Sequence, residues 1–433
     1  MSNEENSPCL GVTDTKTKMW GVQRRVALDL AMMGWGLGTW LGVNGLYVQL
    51  PLLVERLPEG WALPASMTLA VQLANSGPLL YAALRRFVAR LSDTFYIYVL
   101  LVIGALALLL NAFLHPMTVF LGDTERSVPF LALTFFAGLV GCTSSVLFYP
   151  YLRYYREVYL ATYLVGEGLS GLIPSILALV QGIGGEPECV PAEDGASLVP
   201  VYPPALFDST VFIVVLSCLA ALSLACFTAV DRCEAFRSER VTPAVVDKTE
   251  EPEPPRESLL QPRWVALLVL MVFLNALMNG VMPSLQSYSC MPYGTRVYHL
   301  AVTLATIANP LACLAGVWLR PVPVRALAAL LAATLLPLGY IVATALLSPA
   351  PPLVGTVGGE FLVVTAWVAA TGALSYARMW GYARARGGGA RGMRAAGGAT
   401  QAGSALGSLA LFLLVNYSAL FAQPDVCPQP SLH

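Results

Sequence analysis

Chemistry in this chain has to come from polar side chains set inside apolar runs. At ~100° per residue, Asn275, Asn279 and Gln286 fall within ~40° of one another, one stripe on a regular helix. His299, Thr303 and Thr306 make a second stripe by the same arithmetic. Glu167, Ser170 and Gln181 make a third within ~60°. Gln72 and Asn75 lie one turn apart, Asn44 and Gln49 share an earlier run, and Ser145 sits in another. In lipid such groups are costly, so they either glue helices together or line a pathway. Their presence in both halves of the chain favours a shared polar cavity. Asn44, Gln72, Asn75, Ser145, Asn275, Asn279, Gln286, His299 and Thr303 are the expected substrate-binding groups, each as a hydrogen-bonding partner.

The charges inside the runs are few and acidic. Asp29 lies near the start of its run, while Glu167 and Glu360 lie deeper. A carboxyl without a cation partner in low dielectric is a candidate proton site, so both glutamates are expected to respond to protons. No Lys or Arg falls in the middle of a run. A pocket for an anion would want one, so the expected substrate is neutral or cationic, polar and hydrogen-bonding. Trp35, Trp40, Tyr47, Tyr288 and Tyr298 can stack on a flat ring, or anchor span ends at the interface. There is no phosphate-binding glycine loop, HExxH or GxSxG, so no enzyme is expected. The three histidines are scattered and no metal spacing occurs.

The elements that must hold these groups are eleven apolar runs, at 26–54, 62–85, 95–114, 127–151, 158–183, 207–229, 263–289, 294–319, 325–347, 353–379 and 395–421. Each is long enough to cross a bilayer, and only helices satisfy their own backbone there. The fold class is therefore an all-α polytopic membrane protein. The chain is 56% hydrophobic and 12% charged, with net charge −1, which argues against a nucleic-acid partner. The first run is too long for a signal-peptide core and is expected to stay as an anchor. With the N-terminus inside, all but Arg56, Arg126 and Arg296 of the 25 basic residues fall on the cytoplasmic side. An odd number of spans leaves the C-terminus outside.

The expected organisation is a cytoplasmic tail at 1–25, a six-helix bundle at 26–229 and a linker at 230–262. A five-helix bundle at 263–421 and an extracellular tail at 422–433 complete it. The tail and the linker are expected to be disordered; the linker is rich in charge and proline. A long central loop between two bundles is a common transporter layout, with substrate at the bundle interface. Gly34, Gly38 and Gly42, and later Gly403 and Gly407, have the spacing of close helix contact. Cys189, Cys290 and Cys427 face the oxidising side, where a disulfide persists. Cys189–Cys290 is the favoured pair, and the alternatives use Cys427.

The chain resembles the vertebrate riboflavin transporter family of solute carriers, most closely its proton-sensitive subtype. NGLYVQLPLLVERLPEGWALP (44–64), LANSGPLL (73–80), CTSSVLFYP (142–150) and GEGLSGLIPSILALVQGIG (166–184) carry the resemblance. NALMNGVMPSLQSYSCMPYGTRVYHLAVTLATIANPLA (275–312), LSPAPPLVG (347–355), GGEFLVVTAWV (358–368) and SYARM (375–379) extend it. It implies eleven helices in a six-plus-five arrangement, similar to equilibrative nucleoside transporters and the major facilitator architecture. It implies sodium-independent riboflavin uptake at the plasma membrane, with riboflavin as cargo and no cofactor. The flat, neutral ring edged by imide donors and acceptors, and the hydroxylated ribityl chain, suit the amide and hydroxyl stripes. Members of the proton-sensitive subtype carry Glu at the positions of Glu167 and Glu360. Some members also serve as receptors for gammaretroviruses, whose envelope would then be a partner. Where the family usually has Trp and Glu, this chain has Tyr47 and Gln49, which removes a carboxylate. Ala350 replaces a family Cys, so a disulfide from that position to the tail is impossible here. A nucleoside or other neutral-heterocycle carrier, and a membrane receptor without transport, are the alternatives.

Overall fold

The computed structural model describes residues 16–19, 22–87, 91–185, 187–191, 198–237, 239–240, 261–318, 322–386, 388–424 and 427. In chain order the helices are α1 (Val26–Leu37), α2 (Leu41–Leu53), α3 (Leu63–Leu73), α4 (Ser76–Phe87), α5 (Asp93–Leu114), α6 (Val128–Leu152), α7 (Glu157–Gln181), α8 (Ser209–Arg232) and the single turn α9 (Glu234–Arg237). After the central segment come α10 (Pro262–Ala276), α11 (Met282–Cys290), α12 (Thr295–Trp318), α13 (Val324–Leu346), α14 (Val357–Arg386) and α15 (Gly389–Tyr417). Three two-stranded hairpins sit outside the spans: β1–β2 (Lys16–Met19, Val22–Arg25), β3–β4 (Val119–Leu121, Thr124–Arg126) and β5–β6 (Glu188–Pro191, Leu198–Val201).

Eight helices among the described residues are long and apolar enough to cross a membrane. The α1–α2 pair, bent by 52°, makes a ninth. The chain is thus a multi-pass helical membrane protein. The runs expected at 62–85 and 294–319 are helical too, but differ in form. The first divides between α3 and α4, where the Asn75 amide donates to Gln72 Oε1 at 2.7 Å. The second is α12, which carries Arg296 in its first turn and Pro310 inside it.

Two boundaries depart from expectation. Part of the N-terminal tail is ordered, since Lys16–Met19 pairs with Val22–Arg25. The first bundle also runs beyond residue 229. Helix α8 continues to Arg232, and Arg240 donates to the Tyr155 hydroxyl at 2.9 Å and the Tyr151 hydroxyl at 3.0 Å. Glu239 pairs with Arg25 at 3.4 Å and Arg156 at 3.0 Å. These contacts hold Glu239 and Arg240, which belong to the expected linker, on the first group of helices; residues 241–260 lie outside the described part.

Helices before and after the central segment pack mainly among themselves: α1 on α7 and α8, α5 on α6 and α8, then α12 on α14 and α10 on α15. The two groups meet where α12 lies on α2 and α7, and where α3 lies on α11 and α15. Backbones approach closely where glycine allows. At Gly403 and Gly407, added side chains would run into the Val272 and Ala276 backbones of α10. Gly34 and Gly38 face Cys226 and Ser223 of α8 in the same way, so these glycines serve packing.

At the end opposite most of the arginines, side chains join the two groups. Thr295 donates to Glu55, Ser287 to the Trp61 carbonyl at 2.6 Å, and the Trp61 amide to Gln423 at 2.9 Å. Arg126 reaches Asn416 at 3.5 Å.

The disulfide differs from the favoured pair. Cys189 is bonded to Cys427, with Cα atoms 5.7 Å apart, and Cys290 is free. Cys290 ends α11 with 0% exposure inside the core, whereas Cys189 stands on the exposed β5–β6 hairpin. A thiol held in the packed interior cannot meet one on an outside hairpin, but the tail passes beside it.

Candidate functional site

The groups that meet lie at the seam of α2, α7 and α12. These helices cross there because small residues remove bulk from α7: Gly171 faces both Asn44 of α2 and Thr306 of α12, with a Cβ at Gly171 standing 3.4 Å from the Asn44 amide and 3.6 Å from the Thr306 methyl. Asn44 donates to Ser170 Oγ at 3.4 Å, and Ser170 donates to the Glu167 carbonyl at 2.5 Å. The Glu167 carboxylate, half-buried, accepts from the Tyr149 hydroxyl of α6 at 2.9 Å. Among the described residues no Lys or Arg pairs with it.

Along the same seam, Gln49 donates to Gln181 at 2.6 Å, and Gln181 donates to the Phe207 carbonyl at 2.9 Å. His299 is buried. Thr303 is fully buried, and its hydroxyl is taken by the His299 carbonyl at 2.7 Å. Tyr47 bonds Thr68 at 2.7 Å. Three buried polar atoms on the seam helices have no hydrogen-bond partner among the described residues: Gln49 Oε1, Tyr298 Oη and His299 Nε2. A buried polar group costs about 1–3 kcal/mol when left unpaired.

The stripe expected at Asn275, Asn279 and Gln286 is broken. Residues 277–281 form a π-turn between α10 and α11. An i→i+5 turn holds one residue more than an α-turn, so side chains beyond it are rotated relative to those before it. Asn275 and Asn279 therefore face α15. Asn279 donates to Ser404 at 2.9 Å and Asn275 at 3.4 Å, while Asn275 donates to the Met271 carbonyl at 2.7 Å and Thr400 at 3.4 Å. Gln286 is buried on α11, away from them.

Gln72 and Asn75 are spent on each other at the α3–α4 break. Ser145 is exposed on α6. Glu360, expected deeper, stands in the first turn of α14, because that helix starts at Val357 rather than at residue 353. The helix's own N-terminal dipole favours a carboxylate there. His115, just past α5, is held below the usual histidine range by burial and bonds the Asn111 and Ala112 carbonyls, a structural use.

Sequence spacing missed Tyr149 as the partner of Glu167. It comes from another helix, and periodicity along one helix carries no information about its neighbours.

The family described as solute carrier family 52, riboflavin transporter, matches residues 24–423. The human "Solute carrier family 52, riboflavin transporter, member 3" is 38% identical, over 92% of this chain and 98% of its own. Human member 2 is 37% identical over 94% and 98%, and the Ailuropoda melanoleuca member 3 is 38% identical over 92% and 97%. Among solved structures, the xylose transporter XylE from E. coli superposes with a TM-score of 0.56 at 11% identity, covering 91% of this chain and 93% of its own. A mutant of the nucleoside transporter NupG gives 0.54 at 11% identity, covering 90% of each chain. These two likenesses place the fold with that of transporters of this architecture.

Proposed function

We propose, because the chain belongs to the solute carrier family 52 of riboflavin transporters, that it takes up riboflavin at the plasma membrane by alternating access. The observation that carries the reading is the seam between the helix groups. It is lined by Asn44, Ser170, Thr306 and His299, and among the described residues no cation pairs with its Glu167 carboxylate. A neutral, flat, hydrogen-bonding solute suits that inventory, and an anion does not. Asn44, Gln286, His299 and Thr303 stay in the proposed substrate set. Asn275 and Asn279 act there indirectly, by holding α10 on α15.

The arginine-rich end is assigned to the cytoplasm, with the N-terminus inside, eleven spans in six-plus-five order, and the Cys189–Cys427 bridge outside. The bonds at the arginine-poor end then close the outer gate. Glu167 is assigned as the proton-responsive group. Uptake is sodium-independent in this reading, as the family resemblance implies.

The test is uptake of labelled riboflavin into cells expressing the chain, at acidic and mildly alkaline pH, with sodium replaced, and with excess unlabelled nucleosides. Saturable uptake that resists nucleosides and sodium removal supports the reading. Competition by nucleosides turns it into a broader heterocycle carrier. No flux from a chain present at the surface refutes it in favour of a receptor.

A further inference from the structure

The outer gate carries a second concavity that the transport cycle above does not use. It is a cleft of about 490 Å³ at the arginine-poor end. That lies within the ~300–1,000 Å³ range of small-molecule sites. Five separate segments build it: Val54–Trp61 after α2, the β5–β6 hairpin with Tyr202, Met291–Thr295 before α12, the loop at Pro349, and the tail at Gln423 and Pro424. The Cys189–Cys427 bond staples the hairpin to the tail across this rim.

Its walls are unusually flat. Pro58, Pro187, Pro200, Pro292, Pro349 and Pro424 line it together with the rings of Trp61 and Tyr202. Gly60 has φ +54°, and the Gln423 amide packs where its Cβ would project, so the loop and tail close tightly on one side. The polar groups are Glu55, Thr295 and Gln423. Tyr202 stands within electrostatic reach of Glu55 and Arg56, and burial followed by the Glu55 charge holds its phenol above the usual tyrosine range. Its partly exposed ring lines the cleft, and its phenol is a neutral donor.

The floor of the cleft is the gate itself. Glu55 and Thr295 line it, and they are also bonded to each other between the two helix groups. A ligand that donates to the Glu55 carboxylate competes with Thr295 for the same acceptor. We propose that this cleft is an outer docking subsite, which stacks the flat ring of the transported heterocycle on Tyr202 and engages Glu55 through a ring N–H. Occupying it loosens the closed gate and passes the ring inward. The ring class rests on the riboflavin reading above; the cleft and its link to the gate do not.

The experiment pairs uptake kinetics with riboflavin binding to the purified full chain, followed by flavin fluorescence. The variants are Tyr202→Ala, Tyr202→Phe and Glu55→Gln. One aromatic stacking contact is worth roughly 0.5–1.5 kcal/mol, which predicts a KM raised roughly 2- to 10-fold in Tyr202→Ala with maximal rate kept. Wild type should bind two equivalents of riboflavin and Tyr202→Ala one, while Tyr202→Phe, which keeps the ring, behaves as wild type. Glu55→Gln keeps a gate acceptor but loses the charge, and should raise KM as well, which covers a Tyr202→Ala that does not fold. Saturable uptake with a single binding equivalent and unchanged KM in Tyr202→Ala and Glu55→Gln would overturn the subsite while leaving riboflavin transport standing. A wild type that neither binds nor carries riboflavin overturns both.

Discussion

Asn279 and Asn44 look alike in the sequence, but the fold gives them opposite work, and replacing each with alanine separates the two roles. Asn279→Ala removes a well-formed bond to Ser404 at 2.9 Å and a long one to Asn275 at 3.4 Å. The Ser408 hydroxyl on the Asn279 carbonyl, at 3.0 Å, survives because it uses backbone. Hydrogen bonds between membrane helices average about 0.6 kcal/mol and reach about 1.7, so the variant should lose about 1 kcal/mol. Its KM for substrate should stay near wild type. Asn44→Ala loses only one long bond, to Ser170 at 3.4 Å, and should melt almost as wild type does. Losing one hydrogen bond to a neutral ligand group costs about 0.5–1.5 kcal/mol, which raises KM roughly 2- to 10-fold. The assay is thermal melting of the detergent-purified variants beside uptake kinetics normalised to surface protein. Asn279→Ala with an unchanged melting point and a KM raised tenfold would refute the assignment of α15 as its partner.

Three further outcomes follow from other contacts. Gly407→Leu forces a side chain into the Ala276 backbone and should cost about 1–3 kcal/mol or abolish surface expression. Gly397→Leu, where nothing lies within 4 Å, should be tolerated, and equal losses in both would contradict the packing account. Cys427→Ser should expose Cys189 to a membrane-impermeant maleimide on intact cells, whereas Cys290→Ser should add no label; a wild type already labelled at Cys189 would exclude the bridge. Glu167→Gln keeps an acceptor for Tyr149 but cannot titrate, so uptake should lose most of its pH dependence at normal surface expression. An unchanged pH profile removes Glu167 from that role.

The helical membrane class was legible because it depends on a one-dimensional property. Apolar runs of spanning length allow only helices, and most breaks between runs fall where the helices end. Asn44, Ser170 and Thr306 were readable as polar groups in apolar runs for the same reason. The Asn275–Asn279–Gln286 stripe was misread because the arithmetic assumed a regular helix, and the π-turn at Leu277–Val281 changes the phase between the first two and the third. Glu360 was placed too deep because hydropathy counts Leu353 to Thr356 into the run, while the helix begins only at Val357.

Sequence alone determined that the chain is built of membrane-spanning helices and which of its apolar runs carry polar groups. Those facts are set by side-chain solvation, residue by residue, and need no knowledge of neighbours. Only the tertiary structure decided which polar groups face one another. Asn44 meets Ser170, Asn279 meets Ser404, and Glu167 meets Tyr149, each across a different pair of elements. It also decided that Cys189 bonds Cys427, at a sequence separation of 238. Rotation and crossing of packed helices fix such pairings, and these depend on all the contacting surfaces at once rather than on the spacing within any one of them.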